Sequence, residues 1–361
     1  MKYDGKEMDL GNLFENVMKS KREDIVSPAN RIVMTANDND FNLNIDNRWN
    51  LPINNWGRTQ LDNRLAAGLH TFSKEIPKDL YVHNVNRLLV EEKDEKFVLR
   101  TLSNGDKQHV RAVVSDQFMP IDNNIILPDV IDIFGKYKNR WQAIGGFPTD
   151  VRTYVKFVER EPAFTLTDIN GNKREYRMGV MWRNSEVGSG YMEYTAMVID
   201  GFCNNGVMFG KFVIAECKFM HKGSRINTDL GVIMEERVQA IKLAEIKGLV
   251  CEASKIAAEG MYGPQIKEIM EQSLLMKFEG KDKAKAVEAV FRKVGLNDSE
   301  TENVKMQLGG DFSAFGLQAA VTKYAQSVDN YDRRVQLEEA GGNIVSMPSN
   351  VWKSIAALSE N

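Results

Sequence analysis

Cysteine, histidine, long apolar runs and surplus positive charge are all scarce in this 361-residue chain. Only Cys203, Cys217 and Cys251 occur, an odd number without short spacing. That excludes a disulfide framework and a cysteine-only zinc site, leaving small buried hydrophobes in a reducing compartment. His70, His83, His109 and His221 stand singly, so neither a histidine metal cluster nor a Ser-His-Asp system is spelled out. The opening Met1-Lys2-Tyr3-Asp4-Gly5 lacks the apolar stretch of a signal peptide. No apolar run approaches the roughly 18 residues that span a bilayer, so a cytoplasmic protein without membrane contact is expected. With 47 Lys and Arg against 50 Asp and Glu, the net charge is -3, and any polyanion must be held by a local patch. Gly188-Ser189-Gly190 and the Gly201 to Gly210 stretch, with Gly206 and Gly210, lack the following Lys-Ser/Thr and the strand-loop-helix setting of a phosphate loop, and read as turns. No cofactor is implied.

What is present is an ordinary globular balance, 43% hydrophobic and 27% charged. The pattern gives an α+β fold: an antiparallel hairpin-rich sheet in the middle of the chain, followed by an all-helical C-terminal third. Three regions are expected: an irregular and helical 1–90, a sheet core with a short helix over 91–226, and helices over 227–361. The first 80 or so residues are rich in Asn and Asp, which favour turns. Helices are predicted at 59–71 and 79–89. Asn104-Gly105 turns strand 97–102 into strand 108–115, and Asn170-Gly171 turns 164–169 into 175–182. Further strands are expected at 151–158, 191–199 and 212–219, and a helix at 128–134. Helical spacing then marks 230–259, a helix begun by Pro264, and segments 284–294, 303–308, 312–339 and 351–358. Ser299 with Glu302 spells a capping box.

Three stretches carry a resemblance. They are Arg111-Ala112-Val113-Val114-Ser115-Asp116-Gln117-Phe118-Met119-Pro120-Ile121-Asp122-Asn123; Asn184-Ser185-Glu186-Val187-Gly188-Ser189-Gly190 running on to Cys203-Asn204-Asn205-Gly206; and Ser313-Ala314-Phe315-Gly316 with Ala319-Ala320-Val321-Thr322-Lys323-Tyr324. In this order they resemble the signatures of a phage and plasmid protein family, domain of unknown function 932. Met119 and Phe315 depart from its usual arginine and tryptophan. The resemblance implies residence in a mobile genetic element and leaves the biochemical role open.

Basic residues interleaved with aromatics are the candidate binding surface. Arg152, Tyr154 and Lys156 share one face of a strand, Arg111 opens the first signature, and Arg183 follows Trp182. Lys218, Lys222 and Arg225 follow, with Glu216 the single acid between Lys211 and Arg225. Such groups neutralise phosphates while aromatics stack on unpaired bases. The order strand, hairpin, strand, helix over 97–134 is similar to the core of phage single-strand annealing proteins. The leading expectation is therefore a non-catalytic protein that binds single-stranded DNA as a homo-oligomer in the host cytoplasm. The alternatives are a structural or host-partner-binding phage protein, and a divalent-metal enzyme built on Asp116 and Asp122. For those two aspartates, turn and helix-cap hydrogen bonds compete with metal binding.

Overall fold

Within the Asx-rich N-terminal region, Phe41-Asn42-Leu43-Asn44-Ile45 alternates apolar and polar residues, and this period of two wins over the turn preference of Asn. The region is not irregular. It forms β1 (Lys21–Pro28), β2 (Ile32–Ala36), β3 (Phe41–Ile45) and β4 (Trp49–Ile53). Asp46 and Asn47, at φ 53° and 56°, take the left-handed conformation that Asx residues tolerate and turn β3 into β4. The structure, a computed structural model, describes residues 8–37, 40–92, 95–104, 107–115, 118, 121–168, 171–200, 206–217 and 232–359, with backbone alone at 104, 107, 210–217, 232–240 and 359.

These strands join the predicted hairpin, β5 (Lys96–Asn104) and β6 (Lys107–Ser115), in a first sheet of order β1-β5-β6-β4-β3-β2. All neighbours are antiparallel except β4 and β6, which pair in parallel at Ile53 and Val110. Helices α2 (Asn55–Leu65), α3 (Leu69–Phe72) and α4 (Lys78–Glu91) cover one face. Leu61, Tyr81, Val85 and Leu89 pack there on Leu43, Ile45, Leu99 and Val113. The β2 edge is capped at one residue by a side chain. Asn86 of α4 accepts from the Met34 amide at 2.7 Å and donates to its carbonyl at 2.9 Å, imitating one residue of a neighbouring strand.

A second, wholly antiparallel sheet runs β12-β11-β10-β8-β7, with β9 (Phe164–Thr167) also on β10. Its members are β7 (Trp141–Pro148), which the sequence pattern did not reveal, β8 (Thr153–Glu159), β10 (Lys173–Asn184), β11 (Met192–Asp200) and β12 (Gly206–Cys217). Val155, Phe157, Val180, Trp182 and Tyr194 point to α1 (Leu10–Lys19), α5 (Asn123–Lys136) and the 28-residue α6 (Val232–Glu259). Gly146 of β7 lets α1 sit tight: an added Cβ would lie 2.3 Å from Leu13. Arg140 holds the C-terminus of α6, donating to the carbonyls of Ala258, Glu259 and Gly260.

The other face of the second sheet meets α11 (Tyr331–Val345), through Tyr331 and Val335 against Phe147, Tyr154, Met181 and Met197. The remaining helices are α7 (Gly263–Leu275), α8 (Lys283–Lys293), α9 (Asp298–Lys305), α10 (Ala314–Ala325) and α12 (Ser349–Ala356). Packing among α8 to α12 gives this third its own core around Phe291, Val321, Leu337 and Trp352. The fold is thus α+β with a helical C-terminal third.

Several local expectations change. The helix at 59–71 is two, α2 and α3, parted at Gly68 with φ 81°. The single helix at 312–339 is two, because Asn330 caps a new start by accepting from the Arg333 amide. The capping box is Asn297 with Glu300, two positions before the expected pair. Helix α5 begins at Asn123 and carries Pro128 inside it rather than at its start.

Candidate functional site

The first two signature stretches meet. Glu186, from the loop after β10, lies fully enclosed between Arg22 of β1 (2.6 Å) and Arg111 of β6 (2.5 Å), and accepts the Asn123 amide at 2.7 Å. It thereby caps α5 from 63 residues away. Asp122, the positional N-cap, makes no capping bond. Both of its oxygens instead accept from Arg100 Nη2 at 2.8 and 3.0 Å, and Arg100 Nε donates to Asp24 at 3.0 Å. Neither capping by Asp122 nor a metal on it is what the geometry offers, because a guanidinium already holds that carboxylate. Asp116 lies outside the described residues.

Two devices aim these side chains. In the ladder Arg100 pairs with Ala112 while Thr101 pairs with Val110, so Arg111 is the extra residue of a β-bulge. A bulge swings its side chain off the regular alternation, here toward Glu186. Asn184 then donates to the Ile121 carbonyl and to Asn123 Oδ1, while Asn123 donates to Thr153. Three arginines and three carboxylates thus balance in a low-dielectric seam between the sheets. Burial alone would raise the Glu186 carboxyl, but Arg111, Arg22 and the Asn123 amide outweigh it and hold the value at about 2. Burial, together with the charge of Glu186, lifts Asp122 above the usual carboxylate range against the pull of Arg100.

The predicted cationic face is distributed differently from the expectation. Tyr154 and Lys156 do share a face, yet α11 covers it and leaves them 1% and 5% exposed. Lys156 Nζ donates to both oxygens of buried Glu338 at 3.2 and 3.1 Å, and Tyr154 donates to Asp332 at 2.7 Å. Burial, then Asp332, raises the Tyr154 hydroxyl far above its ordinary value. Arg183 pairs with Glu339 at 2.6 Å and with Glu193. Arg111 is committed to Glu186. Arg152 donates to the Ser189 carbonyl and is half-buried. Lys218, Lys222 and Arg225 lie outside the described residues. The solvated face of basic and aromatic residues is therefore corrected for Arg111, Tyr154, Lys156 and Arg183: each is bound to a carboxylate from a helix or loop distant in sequence.

A cleft of about 320 Å³ opens between Asn55, Trp56 and Thr59 of α2 and Thr149, Tyr331 and Asp332. Trp56 Nε1 and Gln60 Nε2 both donate to the Val187 carbonyl, tying its wall to the second signature loop. Beside it, buried Asp62 accepts from Tyr81 at 2.6 Å and faces His70 Nδ1 at 3.1 Å. Thr59 Oγ1 lies 3.3 and 3.4 Å from the two nitrogens of His70, a side-on approach, and donates to the Asn55 carbonyl at 2.8 Å. The hydroxyl is thus not presented to the imidazole as in a nucleophilic relay. Among the described residues no group of three or more His, Cys, Asp or Glu could hold a metal, and no helix is long and apolar enough to cross a membrane.

Sequence reasoning missed Arg22, Arg100, Glu338 and Arg58. The last stacks on Phe41 at 4.7 Å and on Tyr81 at 5.7 Å. Glu338 has Arg334 one helical turn before it, but no short-range pattern links Glu338 to Lys156, or Arg22 and Arg100 to their carboxylates. No family model, curated protein or solved structure matches the chain. Two of the three stretches singled out in the sequence are in direct contact here.

Proposed function

We propose that this chain handles nucleic acid for a phage or plasmid, binding single-stranded DNA as an oligomer without altering it chemically. The observation that carries the reading is the run 218–225, between β12 and α6, which holds Lys218, Lys222 and Arg225 and no acid. With a net charge of -3, a local run of this kind is what attraction to phosphate requires. Arg152, which donates to the Ser189 carbonyl, is the remaining candidate contact among the described residues. Arg111, Tyr154, Lys156 and Arg183 serve instead to hold the sheets and α11 in register. Fluorescence anisotropy with a labelled single strand, at several salt concentrations and against a duplex control, tests this. Replacing Lys218, Lys222 and Arg225 by alanine is expected to lower the salt slope by about 2, at roughly 0.7 per lost phosphate contact. An unchanged slope refutes the assignment.

A second reading, an assembly or host-partner protein without nucleic-acid affinity, draws on α6, where Ile241 and Ile256 are 69% and 47% exposed. It predicts concentration-dependent sedimentation that Ile241→Glu abolishes, with no anisotropy change on adding DNA.

A further inference from the structure

The helical third holds a second concavity, of about 450 Å³, between the first turn of α8 and the chain leaving α9. Val287, Leu308 and Phe312 line it with apolar surface, and Lys281, Lys283 and Lys305 stand around it. The three ammoniums differ in what neutralises them. Lys305 is shared by Glu288 and Glu302. Lys283 sits 5.1 Å over the Phe312 ring, and Lys281 is exposed. Among the described residues neither has a carboxylate partner. The one acid at the rim, Asp282, is spent twice: it accepts the Lys285 amide as the α8 cap and pairs with Lys285 Nζ at 2.9 Å. Lys281 and Lys283 are thus the ammoniums without a carboxylate, although the two acids on Lys305 reduce the excess around the rim to one positive charge, beside the positive end of an 11-residue helix.

We propose that this pocket binds a nucleoside phosphate, with the phosphate on Lys281 and Lys283 and the base against Leu308 and Phe312. The pairing of cations with an aromatic and aliphatic floor selects this class over a bare anion, which has no use for the floor, and over an uncharged apolar ligand, which has none for the lysines. The volume lies within the range of small-ligand sites. The site goes beyond the strand-binding reading, since it uses neither the run 218–225 nor the sheets. Its nucleotide has two sources, free in solution or within a strand, and the two share the same chemistry.

Calorimetric titration of the full chain with AMP, adenosine, inorganic phosphate and a four-residue oligothymidylate separates the cases. AMP is expected to bind at least about tenfold more tightly than adenosine or phosphate alone, the equivalent of a charge-assisted hydrogen bond. The double variant Lys281→Glu, Lys283→Glu is expected to lose that tenfold. Lys281 is exposed and Lys283 half-buried, and an unchanged melting temperature confirms the fold. Alanine at Lys218, Lys222 and Arg225 is expected to leave AMP binding intact, so failure of the strand-binding reading is seen separately. If the charge reversals weaken the oligonucleotide and AMP does not bind, the site takes nucleotides within a strand, which upholds the proposal. Phosphate binding as tightly as AMP, or charge reversal changing neither ligand, overturns it.

Discussion

Replacing Glu186 by glutamine keeps the shape of the seam and removes one charge, leaving Arg22 and Arg111 enclosed against a neutral acceptor. Removing one partner of a buried ion pair costs about 3–5 kcal/mol. An unfolding entropy near 2.1 cal/mol/K per residue gives roughly 0.8 kcal/mol per degree for a chain of this length, so the melting temperature is expected to fall by about 5 °C. A larger drop follows if one sheet unfolds ahead of the other. Circular dichroism melts at pH 7 measure the shift. A companion acid titration checks the cause. The folded-state carboxyl lies at about 2 against an ordinary 4.5, so its stabilisation is complete above pH 4.5 and is lost as pH falls toward 2. Glu186→Gln must flatten stability across that window. A double-mutant cycle with Arg111→Met should return a coupling of at least about 1 kcal/mol. A melting shift below 1 °C, or additive single mutants, refutes the claim that the seam joins the sheets.

A separate acid window belongs to His109, which burial, with the charge of Arg111 acting the same way, pulls from 6.5 down to about 4. Its neutral form stabilises the fold fully above pH 6.5, and that contribution disappears as pH falls toward 4. Residual solvent screening keeps it on the order of 2 kcal/mol. His109→Gln should flatten stability between those values in urea titrations. Two helical glycines should respond oppositely to alanine. At Gly342 of α11 an added Cβ would lie 1.8 Å from the Met208 carbonyl oxygen of β12, so alanine should destabilise by about 3 kcal/mol. At Gly248 of α6 nothing lies within 4 Å, and alanine should stabilise by about 0.5–1 kcal/mol. Denaturant midpoints of the two variants measure both.

Local signals found local structure. Asn-Gly pairs placed the β5–β6 hairpin, and helical spacing placed α4, α6 and α8 within a few residues. Where one composition serves two structures, it misled: Asn42 and Asn44 look like turn residues, but as alternate positions of β3 they fall on its less buried side. Asn330 held a helix start that the surrounding apolar spacing masked. The candidate site was the least legible part. Lys156 meets Glu338 across 182 residues, and Arg22 meets Glu186 across 164. A strand with one charged face looks the same whether water or a helix lies over it, so neutralisation by a distant carboxylate leaves no trace in either segment. The quoted stretches contain Arg111, Asp122 and Glu186 but not Arg22, Asp24 or Arg100, so half of the charged seam lay outside them.

The amide of Asn86 that caps β2 has a consequence for how the chain is made. Met34 leaves the ribosome 52 residues before its cap. At about 5–20 residues per second, β2 spends roughly 3–10 seconds outside with an open edge. During that interval a neighbouring nascent chain on the same message presents the same strand. The gap between synthesis of an edge and synthesis of its cover therefore sets how long this protein is exposed to pairing with copies of itself, before its stability has any bearing.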